Sequence, residues 1–262
     1  MNWILLRGLM REARHWGEFP AMLRAAFPHD TVVTLDLPGN GSLWQQRSPA
    51  TIAAMVEHCR RSLRDQGIAP PYHLLAISLG GMVAVDWSAR YPDEVPAVVL
   101  INTSMRPFNP FYHRLRPANY PALLNLLLHG SDLQRREKVI LRLTSSAAAR
   151  PAVLAQWNQI ARECPVSRAN ALRQLLAAAR FRAASPPPRT RLLLLASAGD
   201  WLVNPECSQR LARAWGSGIA VHPYAGHDLP LDDGPWVTEQ VRLWAAADTH
   251  ANTGTRQTAV TP

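Results

Sequence analysis

Short apolar runs of four to six residues recur along this chain between longer amphipathic stretches. The runs are nearly continuous in apolar character, which is typical of strands buried on both faces of a parallel sheet. Alternation of such strands with helices predicts βαβ units, and therefore an α/β fold with a mostly parallel sheet of about six strands flanked by helices. The strand candidates are Trp3–Leu6, Thr31–Leu35, His73–Ile77, Ala97–Ile101, Arg191–Ala196 and Ile219–His222.

Helical periodicity fills most of the gaps between these runs. Pro49 and Pro235 fall where the first turn of a helix tolerates proline, and Ser48 is the expected N-cap of the helix that Pro49 opens. The helix candidates are Trp16–Phe27, Pro49–Gln66, Gly81–Tyr91, Asn204–Trp215 and Pro235–Ala247.

One stretch interrupts the alternation. Between Thr103 and Arg191 lie almost ninety residues without a convincing strand, which is too long for a plain loop. We therefore expect a core formed by residues 1–104 and 190–248, a helical lid over the carboxyl edge of the sheet in residues 105–189, and a disordered polar tail in residues 249–262. The helical patterns of the lid are Tyr120–His129, Asp132–Ser145, Arg150–Glu163 and Ser167–Phe181.

Composition narrows the possible function classes. The 262 residues are 47% hydrophobic and 18% charged, a balance that suits one large globular domain and not a disordered chain. The net charge is +9, but the arginines are scattered and Lys138 is the only lysine, so no basic run indicates nucleic-acid binding.

The remaining compositional features favour a cytoplasmic protein. Cys59, Cys164 and Cys207 form an odd set without a C-x-x-C pair, which argues against a disulfide framework or a zinc ribbon. No apolar stretch is long enough to span a bilayer. The first residues have the pattern of a strand and lack the basic and apolar regions of a signal peptide.

Residues 72–82 carry the strongest local motif, a strand-like run followed by Ser78, two glycines and a helical pattern. A serine on a sharp strand-to-helix turn needs small residues two positions before and after it, because larger side chains would collide. Those positions hold Ala76 and Gly80, so the motif is A-x-S-x-G, one residue from the usual G-x-S-x-G. Taken alone, the motif equally fits a small-residue turn that lets a helix pack close to a sheet.

The loops that follow the strands supply the other groups that a nucleophilic serine needs. Ligands of open parallel sheets bind beyond the carboxyl ends of the strands, and two later strands deliver Asp200 and His227 there. A serine hydroxyl needs an imidazole to accept its proton, and the imidazole needs a carboxylate to orient it. Ser78, Asp200 and His227 are therefore the candidate catalytic residues. The N–H groups of Leu9, in the glycine turn after the first strand, and Leu79 are the candidate oxyanion donors.

Other titratable residues near these loops have plainer expected roles. A histidine inside a strand or at a helix start is expected to be structural, and aspartates in turns are expected to accept loop hydrogen bonds or cap helices. No ligand set indicates a metal, and no motif calls for a cofactor. The residues assigned to these plainer roles are His15, His222, Asp36, Asp228, Asp232 and Asp233.

Taken together, these segments resemble the α/β-hydrolase superfamily over most of the chain, from Ile4 to about Trp244. The resemblance implies the α/β-hydrolase fold, a Ser-His-Asp triad and hydrolysis of an ester or thioester without a cofactor. The general shape is similar to small carboxylesterases with a helical lid, including pimeloyl-carrier-protein methyl ester esterases. The matching segments are Leu-Leu-Arg-Gly-Leu at 5–9, Asp-Leu-Pro-Gly-Asn-Gly-Ser at 36–42, Ser-Leu-Gly-Gly at 78–81, Gly-Asp at 199–200 and Gly-His-Asp-Leu-Pro at 226–230.

Two positions depart from the family pattern. Ala76 replaces the first glycine of the serine turn, and Arg7 replaces the usual histidine before the oxyanion-loop glycine. Arg7 either attracts a substrate carboxylate or points away and pairs with a local carboxylate. Together with Met10 and Trp201, it is a possible substrate-binding residue.

The expected lid is rich in arginine. These residues form either a solvated helical face or a docking surface for an acidic acyl-carrier protein or an anionic thioester. They are Arg114, Arg116, Arg135, Arg136 and Arg142.

Two alternatives to ester hydrolysis stay open at this point. One is a non-catalytic binding or regulatory member of the same fold, for which Arg7 is the main reason. The other is a different reaction on the same triad, namely a carbon–carbon bond hydrolase, a lyase or an acyltransferase. A serine at the turn disfavours dehalogenases and epoxide hydrolases, which resemble this fold but use an aspartate nucleophile.

Overall fold

Six parallel strands form one sheet in the computed structural model of the protein, which describes residues 1–129, 132–146, 151–184 and 187–254. The strand order is β2-β1-β3-β4-β5-β6, and every neighbouring pair is parallel. The predicted α/β class is confirmed. The strands are β1 (Asn2–Leu6), β2 (Thr31–Leu35), β3 (Tyr72–Ile77), β4 (Ala97–Ile101), β5 (Arg191–Ser197) and β6 (Gly218–His222).

The central strands are buried on both faces, as their continuous apolar character predicts. Successive side chains of a strand point to opposite faces, so alternate residues feed two separate cores. In β3, for example, Leu74 belongs to one core and Leu75 to the other. Burial of strand residues such as Leu75 and Val99 removes their entire side chains from water. Each such side chain contributes roughly 1.5–3 kcal/mol of transfer free energy.

Helices cover both faces of the sheet. On one face lie α2 (Ile52–Asp65), α3 (Leu79–Arg90) and α9 (Glu206–Trp215), whose buried side chains join one core. On the other face lie α1 (Phe19–Ala26) and α11 (Gly234–Gly254). The amphipathic patterns therefore predict the correct elements, with helix ends that differ by a few residues.

Two details at the start of helices differ from the sequence expectation. The first predicted helix is divided at Gly17, whose φ of 53° separates a short 3₁₀ turn from α1. Ser48 is not an N-cap: the helix begins at Ile52, and Thr51 Oγ1 accepts a hydrogen bond from the Ala54 N–H. Ser48 is instead fully buried. Its hydroxyl donates to the carbonyl oxygen of Pro38 at 2.6 Å.

Between β4 and β5 the described residues form helices and no strand of the main sheet, as the sequence predicts. We refer to them as the β4–β5 helices. Part of this stretch, residues 130–131, 147–150 and 185–186, lies outside the described residues. The β4–β5 helices are α4 (Phe111–Arg114), α5 (Tyr120–His129), α6 (Leu133–Thr144), α7 (Pro151–Glu163) and α8 (Arg168–Arg180).

The C-terminal part contains the short helix α10 (Leu229–Asp232) and the long helix α11. Asp233 accepts a hydrogen bond from the Trp236 N–H at 3.0 Å, so it caps α11 as the sequence predicts. The helix ends at Gly254, beyond the expected end at Ala247, and the rest of the expected tail, residues 255–262, lies outside the described residues. Within the described part of the chain, no helix has the length and apolar character needed to cross a membrane.

Candidate active site

Ser78 occupies a sharp turn between β3 and α3. Its φ of 56° and ψ of −117° are strained for a residue that carries a Cβ, and such strain is characteristic of functional turns. Two hydrogen bonds support the turn: Ser78 N–H donates to the Ile101 carbonyl oxygen at 3.0 Å, and Thr103 Oγ1 donates to the Ser78 carbonyl oxygen at 2.8 Å. The surrounding structure therefore holds the serine in a conformation that an isolated chain would avoid.

Small residues make this turn possible. A Cβ at Gly80 would lie 2.4 Å from the Leu6 carbonyl oxygen and 2.7 Å from that of Arg7, both of which are backbone atoms. A Cβ at Gly8 would lie 3.1 Å from the Cβ of Ser78. Ala76, which replaces a glycine of the usual motif, is fully buried in the sheet. The loop after β1 therefore reaches the serine only because these positions have little or no side chain.

Asp200 and His227 form a buried pair at the same edge of the sheet. His227 Nδ1 lies 2.7 Å from Asp200 Oδ2, and the side chains are 6% and 1% exposed. The other carboxylate oxygen of Asp200 accepts the N–H groups of Leu202 and Val203 at 2.8 and 2.9 Å. Asp200 is thus fixed by its own loop and oriented toward the imidazole.

The pKa of His227 lies above its ordinary value. Burial disfavours the charged imidazolium and lowers the pKa, but the charge and hydrogen bond of Asp200 outweigh it, with a smaller contribution from Asp228. Arg7 acts in the opposite direction. The imidazole is therefore a stronger base than a free histidine, which suits a group that accepts a proton from a hydroxyl.

Asn102 positions the loop that carries His227, and sequence reasoning missed it. Its φ is 45°, a left-handed conformation that asparagine tolerates. Its Nδ2 donates to Ser197 Oγ and to the His227 carbonyl oxygen, both at 2.9 Å, while its Oδ1 accepts the Ser197 N–H at 2.9 Å. The one available signal was its place directly after β4, at the edge where the other strands deliver Ser78 and Asp200.

The loop after β1 presents the candidate oxyanion donors. Within the described residues, neither the Leu9 N–H nor the Leu79 N–H donates a hydrogen bond to protein, whereas the next one along the loop does. The Met10 N–H donates to Gln174 Oε1 at 2.9 Å, and Met10 has a φ of 57°. Gln174, a fully buried residue of α8, was not identified from the sequence.

Gln174 connects the loop after β1 to a second loop. Its Nε2 donates to Asn40 Oδ1 at 2.9 Å and to Ser48 Oγ at 3.0 Å. Because every polar atom of this amide has a partner, the side chain has one well-defined position. It thereby ties α8 to the loop after β1 and to the loop after β2.

Arg7 has a carboxylate partner of its own. Its Nη1 and Nη2 donate to Asp228 Oδ1 and Oδ2 at 3.0 and 2.6 Å, a bidentate pair in which both side chains are 4% exposed. The guanidinium carbon also lies 4.8 Å from the centre of the Trp16 ring. Of the two roles that the sequence left open for Arg7, the pairing with a local carboxylate is present, but the residue lines the cavity beside Ser78 and does not point away from it.

The C-terminal end of α6 is joined to the histidine loop. The Asp228 N–H donates to the Thr144 carbonyl oxygen at 2.6 Å. Asp232 Oδ2 accepts the N–H groups of Gly226 at 2.7 Å and of Ser146 at 2.9 Å. The loop that holds His227 is therefore hydrogen-bonded to a helix that lies between β4 and β5.

Ser78 and His227 both line a cavity of about 410 Å³. Its wall is mostly apolar and includes leucines from α5 and α8, among them Leu124, Leu172 and Leu175. In the described part of the chain no hydrogen bond joins Ser78 Oγ to His227, and such contacts are often loose until substrate binds. The volume lies within the range of ordinary small-molecule sites.

The structure places two of the three possible substrate-binding residues at this cavity. Met10 and Arg7 line it, the latter with its guanidinium already bound to Asp228. Trp201 does not belong to the described lining, and it is 71% exposed on the surface. Its ring packs 5.1 Å from the guanidinium of Arg116.

The five arginines expected on the lid do not form one solvated surface. Arg114 is half-buried and donates to the Ala178 carbonyl oxygen, and Arg116 donates to the carbonyl oxygen of Asp200. Arg136 is buried and contacts Glu137. Arg135 and Arg142 are exposed on α6. The sequence could not show which of the five arginines are exposed, because Arg114, Arg116 and Arg136 bind partners that lie on other elements or in the buried interior.

The competing titratable residues have structural partners, as expected. His222 Nδ1 accepts the Ala225 N–H at 2.8 Å, and its Nε2 lies 3.1 Å from Asp233. His15 is buried, and burial together with the charge of Arg11 lowers its pKa well below the ordinary value. Asp36 accepts backbone N–H groups from Ala13 and Ser42 at 2.8 and 2.9 Å.

Comparison with known proteins identifies a matching family and relatives that are named as hydrolases. A family model described as the alpha/beta hydrolase family matches residues 3–240. A pimeloyl-[acyl-carrier protein] methyl ester esterase from Aromatoleum aromaticum is 29% identical over 253 residues, covering 87% of this chain and 95% of the relative. A putative carbamate hydrolase, RutD, from Caulobacter vibrioides is 27% identical over 242 residues, covering 88% and 84%.

Solved structures with the same fold include an enol-lactonase from Burkholderia xenovorans LB400. It superposes with a TM-score of 0.75 at 19% sequence identity, and the match covers 92% of this chain and 89% of the lactonase. A thermophilic esterase from Thermogutta terrifontis has a TM-score of 0.74 at 21% identity, with coverage of 94% and 90%. At these identities the structures establish the fold alone. The curated relatives are named as hydrolases, and the present chain is an enzyme of that class. Since the family model covers most of its length, the protein belongs to the alpha/beta hydrolase family.

Proposed function

We propose that the protein is a serine hydrolase that cleaves a carboxylic ester or thioester through an acyl-enzyme, with Ser78 as nucleophile, His227 as base and Asp200 as the orienting carboxylate. The observation that carries the proposal is the 2.7 Å contact between His227 Nδ1 and Asp200 at a cavity that Ser78 also lines. The similarity to a methyl ester esterase supports an ester substrate.

In the proposed reaction, His227 Nε2 accepts the proton of Ser78 Oγ as that oxygen attacks the substrate carbonyl carbon. The carbonyl oxygen becomes an oxyanion, which accepts hydrogen bonds from the N–H groups of Leu9 and Leu79. The imidazolium, stabilised by Asp200, then donates its proton to the leaving alcohol or thiol as the ester bond breaks. A water molecule, deprotonated by the same imidazole, attacks the acyl-enzyme and releases the acid and the free serine.

The β4–β5 helices are proposed to form a lid over this site. Leu124, Leu172 and Leu175 line the cavity and remain exposed at its surface, so they provide an apolar contact for an acyl chain. Burying such a chain contributes about 0.8 kcal/mol per methylene. An acyl group of small to medium length is therefore the proposed substrate, bound between the sheet edge and the lid.

A carrier-protein partner is a further part of the proposal, drawn from the relative that acts on a carrier-bound ester. Arg135 and Arg142 are the two expected lid arginines whose side chains are exposed. An acidic carrier would therefore dock at α6, close to the mouth of the cavity that α6 helps to line.

The deciding experiment compares wild type with Ser78→Ala in the hydrolysis of p-nitrophenyl esters and in labelling by a fluorophosphonate. We expect kcat to fall at least about 10⁴-fold and labelling to disappear, because no other group supplies the nucleophile. Ser62→Ala, on the outer helix α2, is the matched control and should retain both.

Other outcomes would point to the alternatives. Equal turnover by wild type and Ser78→Ala would contradict the proposal. A folded wild type that neither turns over esters nor reacts with the fluorophosphonate would favour a non-catalytic member of the fold. Labelling of Ser78 without any ester or thioester turnover would favour a different reaction on the same residues.

A further inference from the structure

The wall of the cavity contains arginine side chains that have no role in the proposed reaction. Among the described lining residues, four are arginines and one, Asp228, is a carboxylate. Asp228 is already bound to Arg7. The other lining arginines are Arg11, Arg136 and Arg168. An otherwise apolar pocket thus contains cationic groups that have no part in the proposed triad or in the oxyanion donors.

Two of these arginines share a single carboxylate. Glu137, which is 1% exposed, accepts Arg11 Nη1 on Oε2 at 2.7 Å and Arg136 Nε on Oε1 at 3.2 Å. Both arginines are 8% exposed. Burying a charge without a partner is costly, so two guanidinium groups on one carboxylate favour a further anion beside them.

The hydrogen-bonding capacity of these guanidinium groups is also incompletely used. Arg11 Nη2 is buried without a hydrogen-bond partner, above the Trp157 ring, whose centre lies 4.4 Å from the guanidinium carbon. Arg136 Nη1 donates to the Val166 carbonyl oxygen at 3.3 Å, while its Nη2 has no hydrogen bond to another described residue. The cluster therefore retains donors for a ligand.

Arg168 lies on the same side of the cavity. It follows Val166 by two residues, is exposed, and makes no ion pair with another described residue. It opens α8, and Gln174 of the same helix contacts the oxyanion loop six residues later. Six residues correspond to about 9 Å along a helix axis. Arg168 and the contact of Gln174 with this loop are thus separated along α8 by a distance that an acyl chain of several methylenes would span.

We propose that Arg136 and Arg168, supported by Arg11, form a subsite for an anionic group, a carboxylate or a phosphate, at the end of the substrate remote from the scissile carbonyl. The inference rests on the proposed function, because the subsite selects among substrates of that reaction. Arg168 attracts the anion at the mouth of the cavity, and Arg136 donates to it at the wall. The apolar leucines between them and Ser78 hold the connecting chain.

The test measures a ratio of kcat/KM values for paired p-nitrophenyl esters of equal chain length. One member of each pair ends in a carboxylate and the other in its neutral primary amide, and a second pair replaces the carboxylate by a phosphate. Wild type should favour the anionic member, and Arg168→Gln should lower the anionic-to-neutral ratio about tenfold, as expected for loss of one charge-assisted hydrogen bond. The larger ratio of the two pairs identifies the anion that the subsite accepts.

Arg136→Gln should lower the ratio at least as much, and Arg136→Lys, which keeps the charge but not the planar fork, should restore part of it. Arg24→Gln removes an exposed arginine of α1 outside the described cavity lining and should leave the ratio at its wild-type value. Equal ratios in wild type, Arg168→Gln and Arg136→Gln would overturn the subsite.

A binding experiment separates failure of the subsite from failure of the proposed function. Calorimetry measures the binding of an alkyl dicarboxylate and of an alkyl phosphate to Ser78→Ala and to Ser78→Ala/Arg168→Gln, neither of which needs to turn over substrate. Binding that is about tenfold tighter to the first variant supports the subsite even if ester hydrolysis does not depend on Ser78. Equal binding to both variants contradicts it even if the esterase is confirmed.

Discussion

The two sides of the cavity are constructed differently. At the sheet edge, short loops after parallel strands hold Ser78, Asp200 and His227 through buried or partly buried hydrogen bonds to the backbone. On the opposite side, the β4–β5 helices present leucines and arginines, several of which are exposed. They reach the sheet edge through a small set of polar side chains, of which Gln174 is the most buried.

Under the proposed function, this difference separates the groups that carry out the reaction from those that select the substrate. The sheet edge has little freedom, because its backbone approaches so closely that small residues are required. The β4–β5 helices can change their lining side chains without moving the proposed catalytic groups. We therefore expect substitutions at the sheet edge to affect folding or kcat, and substitutions in the helices to affect substrate preference, except where a helix directly holds an edge loop.

Gly80→Ala tests how rigid the sheet edge is. The new Cβ would meet the backbone carbonyls of Leu6 and Arg7, which cannot move without displacing β1, so we expect a loss of about 3 kcal/mol in the free energy of unfolding. Gly216→Ala is the matched control. Its Cβ meets nothing within 4 Å and only the φ of 61° opposes it, so it should cost about 1 kcal/mol. Urea denaturation measures both, and equal losses would argue against the close packing described here.

Gln174→Leu tests a helix residue that directly holds a loop of the sheet edge. The substitution leaves the Met10 N–H without its acceptor, so the loop that carries the proposed oxyanion donor Leu9 loses a fixed position. We therefore expect kcat to fall about tenfold with a smaller change in KM. Gln174→Glu keeps an acceptor for Met10 and should recover part of kcat. Gln209→Leu, on the outer helix α9, is the control. A change confined to KM would instead assign Gln174 to substrate binding.

The pH profile tests the electrostatic coupling at the edge itself. Because the pKa of His227 is raised, kcat/KM should decline on the acid side at a higher pH than for a free histidine, whose pKa is about 6.5. Asp228→Asn removes a charge that raises this pKa and frees Arg7, which lowers it, so the decline should move to lower pH. Asp233→Asn removes an equal charge outside the described cavity lining and should leave the profile in place.

Asp228→Asn should also lower the free energy of unfolding, because it leaves Arg7 buried without its partner. The double variant Arg7→Gln/Asp228→Asn removes both charges and should be more stable than Asp228→Asn. Its acid limb is expected between those of wild type and the single variant. A limb that moves to higher pH in Asp228→Asn would contradict the assigned electrostatics.

The sequence predicted the fold and the groups at the sheet edge because both depend on local patterns. Continuous apolar runs identify buried strands, and the residues directly after them must lie at one edge of a parallel sheet. The same rule applied to Asn102, which follows β4, but no familiar catalytic motif accompanied it.

The parts that the sequence did not reveal depend on pairs that are distant along the chain. Arg7 and Asp228 are 221 positions apart, and Met10 and Gln174 are 164 apart. A single sequence contains no local signal for such a partner, since an arginine or a glutamine in a helical pattern is compatible with an exposed position. The sequence did not show, for the same reason, which of the five arginines expected on a lid are buried and which are exposed.

The hydrogen bonds between the end of α6 and the histidine loop have a thermodynamic consequence. The Asp228 N–H and the Thr144 carbonyl oxygen hold the two segments together, so their positions are coupled variables. By linkage, an interaction that fixes the His227 imidazole also stabilises the position of α6 against the histidine loop, and release of α6 makes the position of the imidazole less well defined. Under the proposed function, opening of the cavity and loss of the imidazole's ability to accept a proton are then two descriptions of one equilibrium, which would keep Ser78 inactive while the site is open to water.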